Sequence, residues 1–334
     1  MKTAHGLNGI RITDQAENIS YSKIRSIFNL AQGMKDVVNF GIGEPDFDTP
    51  SFIVDRAKKE LDSGFTHYTA NAGLLELREM VSDKLRRKNR IYASPEGGVI
   101  ITCGAMGGLY LALRVLSGPG DEVLLPQPAW VNYESQIALC GAEAVPIPLN
   151  PDHNFALTAE MLEKHITPRT KGILINSPSN PTGRCIPEGE LEKIARLSRK
   201  RDLFVISDEV YEHFIWKGAH HTSIASFSDA ADRTVTVNSF SKSYAMTGWR
   251  IGYACGPERV IANMTKLQEN IYACASSIAQ KAAMAALSGG DESLDMMISE
   301  YDRRRDFMEK SLTALPGISF VNPQGSFYLF VDVR

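Results

Sequence analysis

Seven short apolar runs rich in β-branched residues recur along the middle of the chain: Val99–Cys103, Glu122–Leu125, Ala144–Leu149, Gly172–Asn176, Leu203–Ser207, Thr234–Asn238 and Ile251–Cys255. Longer stretches with helical periodicity separate them. Leu191–Lys200 is an example, with Leu191, Ile194, Ala195 and Leu197 on one side and charges elsewhere. Strands that are apolar on both faces and alternate with helices call for a mostly parallel sheet covered on both sides. The expected fold is therefore α/β, with a large domain holding a seven-stranded sheet. The ends read differently. A helix over Ser22–Gly33 and a strand over Val37–Phe40 stand at one end. At the other, a helix from Asp291 through Leu315 precedes strands Ile318–Val321 and Phe327–Val333. This pattern predicts a smaller α/β domain built from residues 1–48 and 291–334 around a large domain of residues 49–290.

Charge excludes one class of partner. Lys plus Arg (36) and Asp plus Glu (39) nearly cancel to a formal −3, so no global basic field favours nucleic acid. The one basic run, Lys84, Arg86, Arg87, Lys88 and Arg90, reads as the solvated end of a helix that begins near Gly73. The five cysteines are scattered without metal-like spacing and read as reduced. His67, His213, His220 and His221 show no ligand spacing and read as surface or structural residues. Met1 to Arg11 lacks the apolar run of a signal peptide or membrane span, which makes the cytoplasm the expected location.

The segment from Ser239 to Arg250, Ser-Phe-Ser-Lys-Ser-Tyr-Ala-Met-Thr-Gly-Trp-Arg, places Lys242 just beyond a buried strand. Desolvation there lowers an amine's pKa, and a neutral amine is what Schiff-base chemistry needs. Arg250, eight residues on, offers a fixed cation suited to a phosphate. Asp208 lies at the C-terminal end of a strand, where ligand sites of open α/β sheets gather, although Ser207 and Asp208 also read as a helix N-cap. Gly104-Ala-Met-Gly-Gly108 turns a strand into a helix whose first amides face outward, a ready anion site.

The lysine segment resembles the cofactor-lysine motif of class I/II aminotransferases, the fold-type I pyridoxal-phosphate enzymes. Three further segments match in order and spacing: Asn176-Ser-Pro-Ser-Asn-Pro-Thr-Gly183, Ser207-Asp-Glu-Val-Tyr211 and Gly41-Ile-Gly-Glu-Pro-Asp-Phe-Asp48. The resemblance runs from about Ser20 to the last residue. It implies pyridoxal 5′-phosphate as cofactor, held covalently by Lys242, which also moves the proton during transfer of an amino group between an L-amino acid and a 2-oxo acid. Asp208 would pair with the pyridine nitrogen, and Tyr211 and Asn180 with the phenolate oxygen. The amides of Ala105 and Met106, together with Ser239 and Arg250, would hold the phosphate. Trp130 would stack on the ring, Gly43 would lie against the substrate, and Tyr68 would reach the neighbouring subunit's site in a homodimer. The bonds Gln127–Pro128 and Asn180–Pro181 are expected to be cis.

Residues Tyr21 to Pro50 are similar to the aspartate and aromatic aminotransferases, which makes those amino acids the expected substrates. Family members run some fifty residues further and carry there an arginine for the substrate α-carboxylate. No position here matches it, so the expectation is a truncated chain. A pyridoxal-phosphate lyase on the same fold would share Lys242, Asp208, Tyr211 and Arg250. A non-catalytic cofactor-binding sensor domain would need a DNA-binding helix-turn-helix, which neither end supplies.

Overall fold

The structure is a computed structural model that describes residues 10, 12–17, 19, 34, 37–38, 40–41, 43–216 and 218–334. All seven expected strands form, with ends shifted by a residue or two: β1 (Val99–Thr102), β2 (Glu122–Gln127), β3 (Glu143–Pro148), β4 (Thr170–Asn176), β5 (Phe204–Asp208), β6 (Thr234–Ser239) and β7 (Gly252–Cys255). They make one sheet in the order β1-β7-β6-β5-β4-β2-β3. Only β7 runs against its neighbours, pairing antiparallel with both β1 and β6; the other pairs are parallel.

Every residue of β1, β6 and β7 is buried, as a sheet covered on both faces requires. One layer, including Leu77, Val81, Ala279 and Ala283, packs with Val99, Ile101 and Tyr253. The other covers Ile100, Val123, Leu174 and Val237 with Leu109, Leu113 and Ile137. The helix read over Leu191–Lys200 begins earlier, at Glu188, after Pro187. That start places two acidic residues in the first turn, where they face the positive end of the helix dipole.

Several expectations need correction. Val37, Val38 and Phe40 are not in a strand, and the helix expected over residues 22–33 lies outside the described residues. The C-terminal helix forms over Glu292–Thr313, but the two strands after it shrink to β8 (Ser319–Phe320) and β9 (Val331–Asp332), an antiparallel pair. The alternation in Phe327–Val333 arises from tertiary packing instead. Phe327 stacks on Tyr301 at 5.4 Å and meets Tyr211 and Phe214 edge-on at 5.3 and 5.4 Å. The chain before it is tied down by Trp216 N donating to Gln324 O (2.8 Å) and Ser326 N donating to Phe214 O (2.9 Å).

The basic run also divides. Its helix, Leu75–Lys84, passes into a wider turn over Leu85–Asn89. Arg86, Arg87, Lys88 and Arg90 are solvated as expected, but Lys84 is buried and ion-paired with Glu212. Lys84 follows Leu77 and Val81 at helical spacing and shares their inward face.

Candidate active site

The parallel strands β4, β5 and β6 end side by side, with Asn176 opposite Asp208 and Asp208 opposite Val237. This row of C-terminal ends is where an open α/β sheet offers its crevice, and most of the candidate residues gather there. Asp208 is the last residue of β5 and almost wholly buried, at 3% exposure. Its Oδ2 accepts from the Tyr133 hydroxyl at 2.7 Å and its Oδ1 from the Val210 amide at 3.2 Å. Burial pushes its pKa up to about 6, against the lowering effect of those two bonds. No helix follows Asp208, so the amide bond closes a local turn rather than capping one.

Lys242 lies in the short helix Phe240–Ser243 that begins as β6 ends. Its Nζ donates to Gly43 O at 2.6 Å, which joins the glycine of the Gly41–Asp48 segment to the lysine. Burial lowers the amine's pKa to about 8, opposed by the nearby charges of Glu44 and Asp208 and assisted by Arg250. Tyr211 and Asn180 also converge. The Tyr211 hydroxyl is 2.9 Å from that of Tyr328, to which Asn180 Nδ2 donates at 3.3 Å. The bonds Gln127–Pro128 and Asn180–Pro181 are cis, as is Ser177–Pro178, which was not expected.

A second group surrounds the first turn of the helix Gly104–Leu116, which holds Ala105 and Met106. A Cβ on Gly252 would lie 2.7–2.9 Å from Asn238 O, Gly104 C and Ala105 N, so only glycine there lets this turn sit against the ends of β6 and β7. Gly104 has φ +66° and a Cβ on it would meet the Arg250 guanidinium at 2.6 Å. Arg250 itself has φ +53° and donates from Nη1 to Thr247 O at 2.8 Å. Ser239 Oγ accepts from Ser241 N at 3.0 Å and donates to Ser241 Oγ at 2.8 Å, so the two hydroxyls adjoin. The Trp130 ring stands edge-on to Tyr133, centroids 5.2 Å apart. Tyr68 stays apart from this assembly, 87% exposed.

Sequence reasoning missed Tyr133, Tyr328, Ser241 and the buried charges behind the site. The signals were slight: Tyr133 is three residues from Trp130, and Ser241 lies between two residues already singled out. His221 also differs from a surface residue. Its Nε2 is 3.0 Å from Glu209, and although burial works against its charge, that carboxylate holds its pKa above the usual value. Glu209, Glu212 and His221 offer ligand atoms within 4.8 Å of one another. The Lys84 ammonium already neutralises Glu212 there, so the cluster is an internal ion-pair network.

The family described as aminotransferase class I and II matches residues 35–334. The chain belongs to that family. It is 43% identical to an aspartate aminotransferase of Pyrococcus abyssi over 97% of this chain and 83% of the relative. It is 40% identical to aromatic-amino-acid aminotransferase 2 of Thermococcus litoralis, again over 97% and 83%. Among solved structures, the aspartate aminotransferase of Thermus thermophilus with maleate superposes with a TM-score of 0.93 at 37% identity, covering 97% of this chain and 85% of that one. The chain is thus a pyridoxal-phosphate-dependent aminotransferase, a transferase acting on amino acids and 2-oxo acids. Among the described residues no helix is long and apolar enough to cross a membrane.

Proposed function

We propose that the enzyme moves the amino group of an L-amino acid of the aspartate or aromatic type to a 2-oxo acid in a ping-pong cycle, and that Lys242 is its covalent lysine. The observation that carries the assignment is the convergence of a half-buried amine, hydrogen-bonded to Gly43 O with its pKa lowered to about 8, and a buried carboxylate, its pKa raised to about 6, at the ends of the adjacent strands β6 and β5. Aspartate and aromatic substrates are the ones named for the relatives.

The donor set fits pyridoxal phosphate. Its dianionic phosphate suits the amides of Ala105 and Met106 at the helix N-terminus, the Arg250 guanidinium over Gly104 and the Ser239 hydroxyl. Asp208 would hold the ring nitrogen, Asn180 and Tyr211 the phenolate oxygen, and Trp130 would stack on the ring. When bound, the cofactor supplies an electron sink for the bond broken at the substrate Cα. Lys242, neutral in part near pH 8, would take up the proton from the substrate Cα and deliver it to the carbon on the far side of the amino nitrogen. A Cβ on Gly43 would overlap the Tyr328 ring and hydroxyl, so this segment lies this close to Tyr328 and Lys242 only as glycine, beside the place where substrate would bind.

We also propose the division into a large domain of residues 49–290 and a small one of residues 1–48 and 291–334. It is supported by the separate β8-β9 pair; Leu294, Met297 and Phe327 pack across the boundary against Phe214 and Trp216. The exposed Tyr68 supports a homodimer with shared sites, tested by the mass in solution. The cytoplasm suits the free state of the five cysteines.

Borohydride reduction of the cofactor-loaded protein should fix the label on the peptide holding Lys242. A label on another lysine would overturn the assignment. Aspartate, tyrosine and phenylalanine, offered singly, should each convert bound cofactor to pyridoxamine phosphate if both substrate types are used.

A further inference from the structure

Asp208 is an acid in trouble: it is buried, the neighbouring Glu209 raises its pKa further, and among the described residues no cation forms an ion pair with it. A carboxylate in that position tends to take up a proton and become neutral. A neutral acid would serve a pyridinium poorly. The Tyr133 hydroxyl at 2.7 Å is the strongest influence opposing this outcome, ahead of the Val210 amide and the charge of Lys242.

We propose that Tyr133 is a positioning residue for transamination, whose hydroxyl keeps the Asp208 carboxylate ionised and aimed at the cofactor's ring nitrogen while its ring braces Trp130. This rests on the assignment of Asp208 to that nitrogen. Each Asp208 oxygen has two lone pairs, and the bonds from Tyr133 and Val210 use one on each. A lone pair therefore remains for the ring. The phenol is suited to a donor's role, because burial and the adjacent carboxylate raise its pKa well above the usual tyrosine value and keep its proton in place.

Position on the chain links two surfaces of the cofactor site. Tyr133 lies in the first turn of the helix Asn132–Leu139, with its amide donating to Trp130 O at 3.1 Å. Trp130 meets its ring edge-on, at an interplanar angle of 83°. The same residue thus touches the group assigned to the ring's face and the group assigned to its nitrogen. A space-filling role would account for the buried ring of Tyr133 against Ile137 and Leu125 but not for its hydroxyl.

The test is a cycle of variants read by titrating cofactor-free protein with pyridoxal phosphate and following absorbance. Tyr133→Phe should weaken binding about tenfold, the lower end of what a hydrogen bond to a charged group contributes. In an Asp208→Asn background the same change should weaken it less than about twofold. Tyr133→His, which keeps a donor, should recover part of the loss, and it decides the matter by the same titration if Tyr133→Phe does not fold. Equal losses in the two backgrounds, or no loss in either, would overturn the proposal and leave Asp208 in its place. Unchanged affinity in Asp208→Asn alone would instead overturn the Asp208 assignment and the proposal resting on it.

Discussion

Asp208 and Glu212 are two buried carboxylates on one turn of chain, and their surroundings drive them in opposite directions. Burial raises the pKa of each. At Glu212 burial is the largest single influence, but the charges of Lys84, His213 and His221 together outweigh it, and Asn89 Nδ2 and Asn238 Nδ2 add hydrogen bonds of 2.7 and 2.6 Å, so the group stays ionised far below the ordinary range. At Asp208 a hydroxyl, an amide and the more distant charge of Lys242 oppose burial without overcoming it, and the pKa rises to about 6. Low dielectric alone does not fix a buried acid's state; its partners do. One carboxylate is a fixed structural charge, and the other is left responsive to whatever binds beside it. The two are connected, because Asn238 also accepts from the Ser239 amide at 2.7 Å and so joins the ion-pair network to the turn that carries Lys242.

The largest effect should come from breaking the fixed pair. Glu212→Ala leaves Lys84 buried without its counter-charge, and removing one partner of a buried pair costs about 3–5 kcal/mol. Urea unfolding of the cofactor-free protein should show the loss at pH 7. A change under about 1 kcal/mol would mean that water reaches Lys84, because a surface pair contributes only about that much.

Next comes a difference of sign. Glu212 has a lowered folded pKa, so the stability it contributes is present above its ordinary value of 4.5 and is lost as pH falls toward the folded value. Asp208 has a raised folded pKa. Its contribution is most favourable below the ordinary 3.8 and is lost as pH rises through about 6, a difference worth on the order of 3 kcal/mol. Cofactor-free Asp208→Asn should therefore be more stable than the parent at pH 7, with the gap closing toward pH 4. Glu212→Gln should be less stable at pH 7, and its gap should narrow only in stronger acid. Parallel pH profiles for the two variants would dissolve the distinction between the sites.

How much of this could be read in advance follows from the same physics. The seven strands were legible because burial on both faces leaves a continuous apolar run, a signal local to each segment. Phe327 and Tyr328 misled because their side chains answer to distant partners, Tyr211, Tyr301 and Asn180, that only the folded chain brings near. The residues converging near Lys242 stood out because amine, carboxylate, amide and phenol occur in unusual company at strand ends. Tyr133 did not, since a tyrosine on an amphipathic helix looks like core until its hydroxyl is found on Asp208. Lys84 was hidden among its neighbours: five cations within seven residues read as solvated, although its spacing from Leu77 and Val81 turns it inward.

That run supplies the smallest expected effect and the sharpest control for the largest. Arg90 ends it with an ion pair to Glu188 at 3.1 Å, and both side chains are more than half exposed. Water and salt screen such a pair, and holding two long side chains in one geometry costs entropy that offsets the attraction. Arg90 has φ +57°, a left-handed backbone that strains any side chain, so the substitution is better made at Glu188. Glu188→Gln should move the unfolding midpoint at pH 7 only slightly, by the roughly 0.3–1 kcal/mol of an exposed charge in a helix's first turn, and less at high salt, while Glu212→Gln, with the same change of charge, moves it plainly. A midpoint shift for Glu188→Gln comparable to that of Glu212→Gln would show that the surface pair is held as rigidly as the buried one, and that burial is not what separates them.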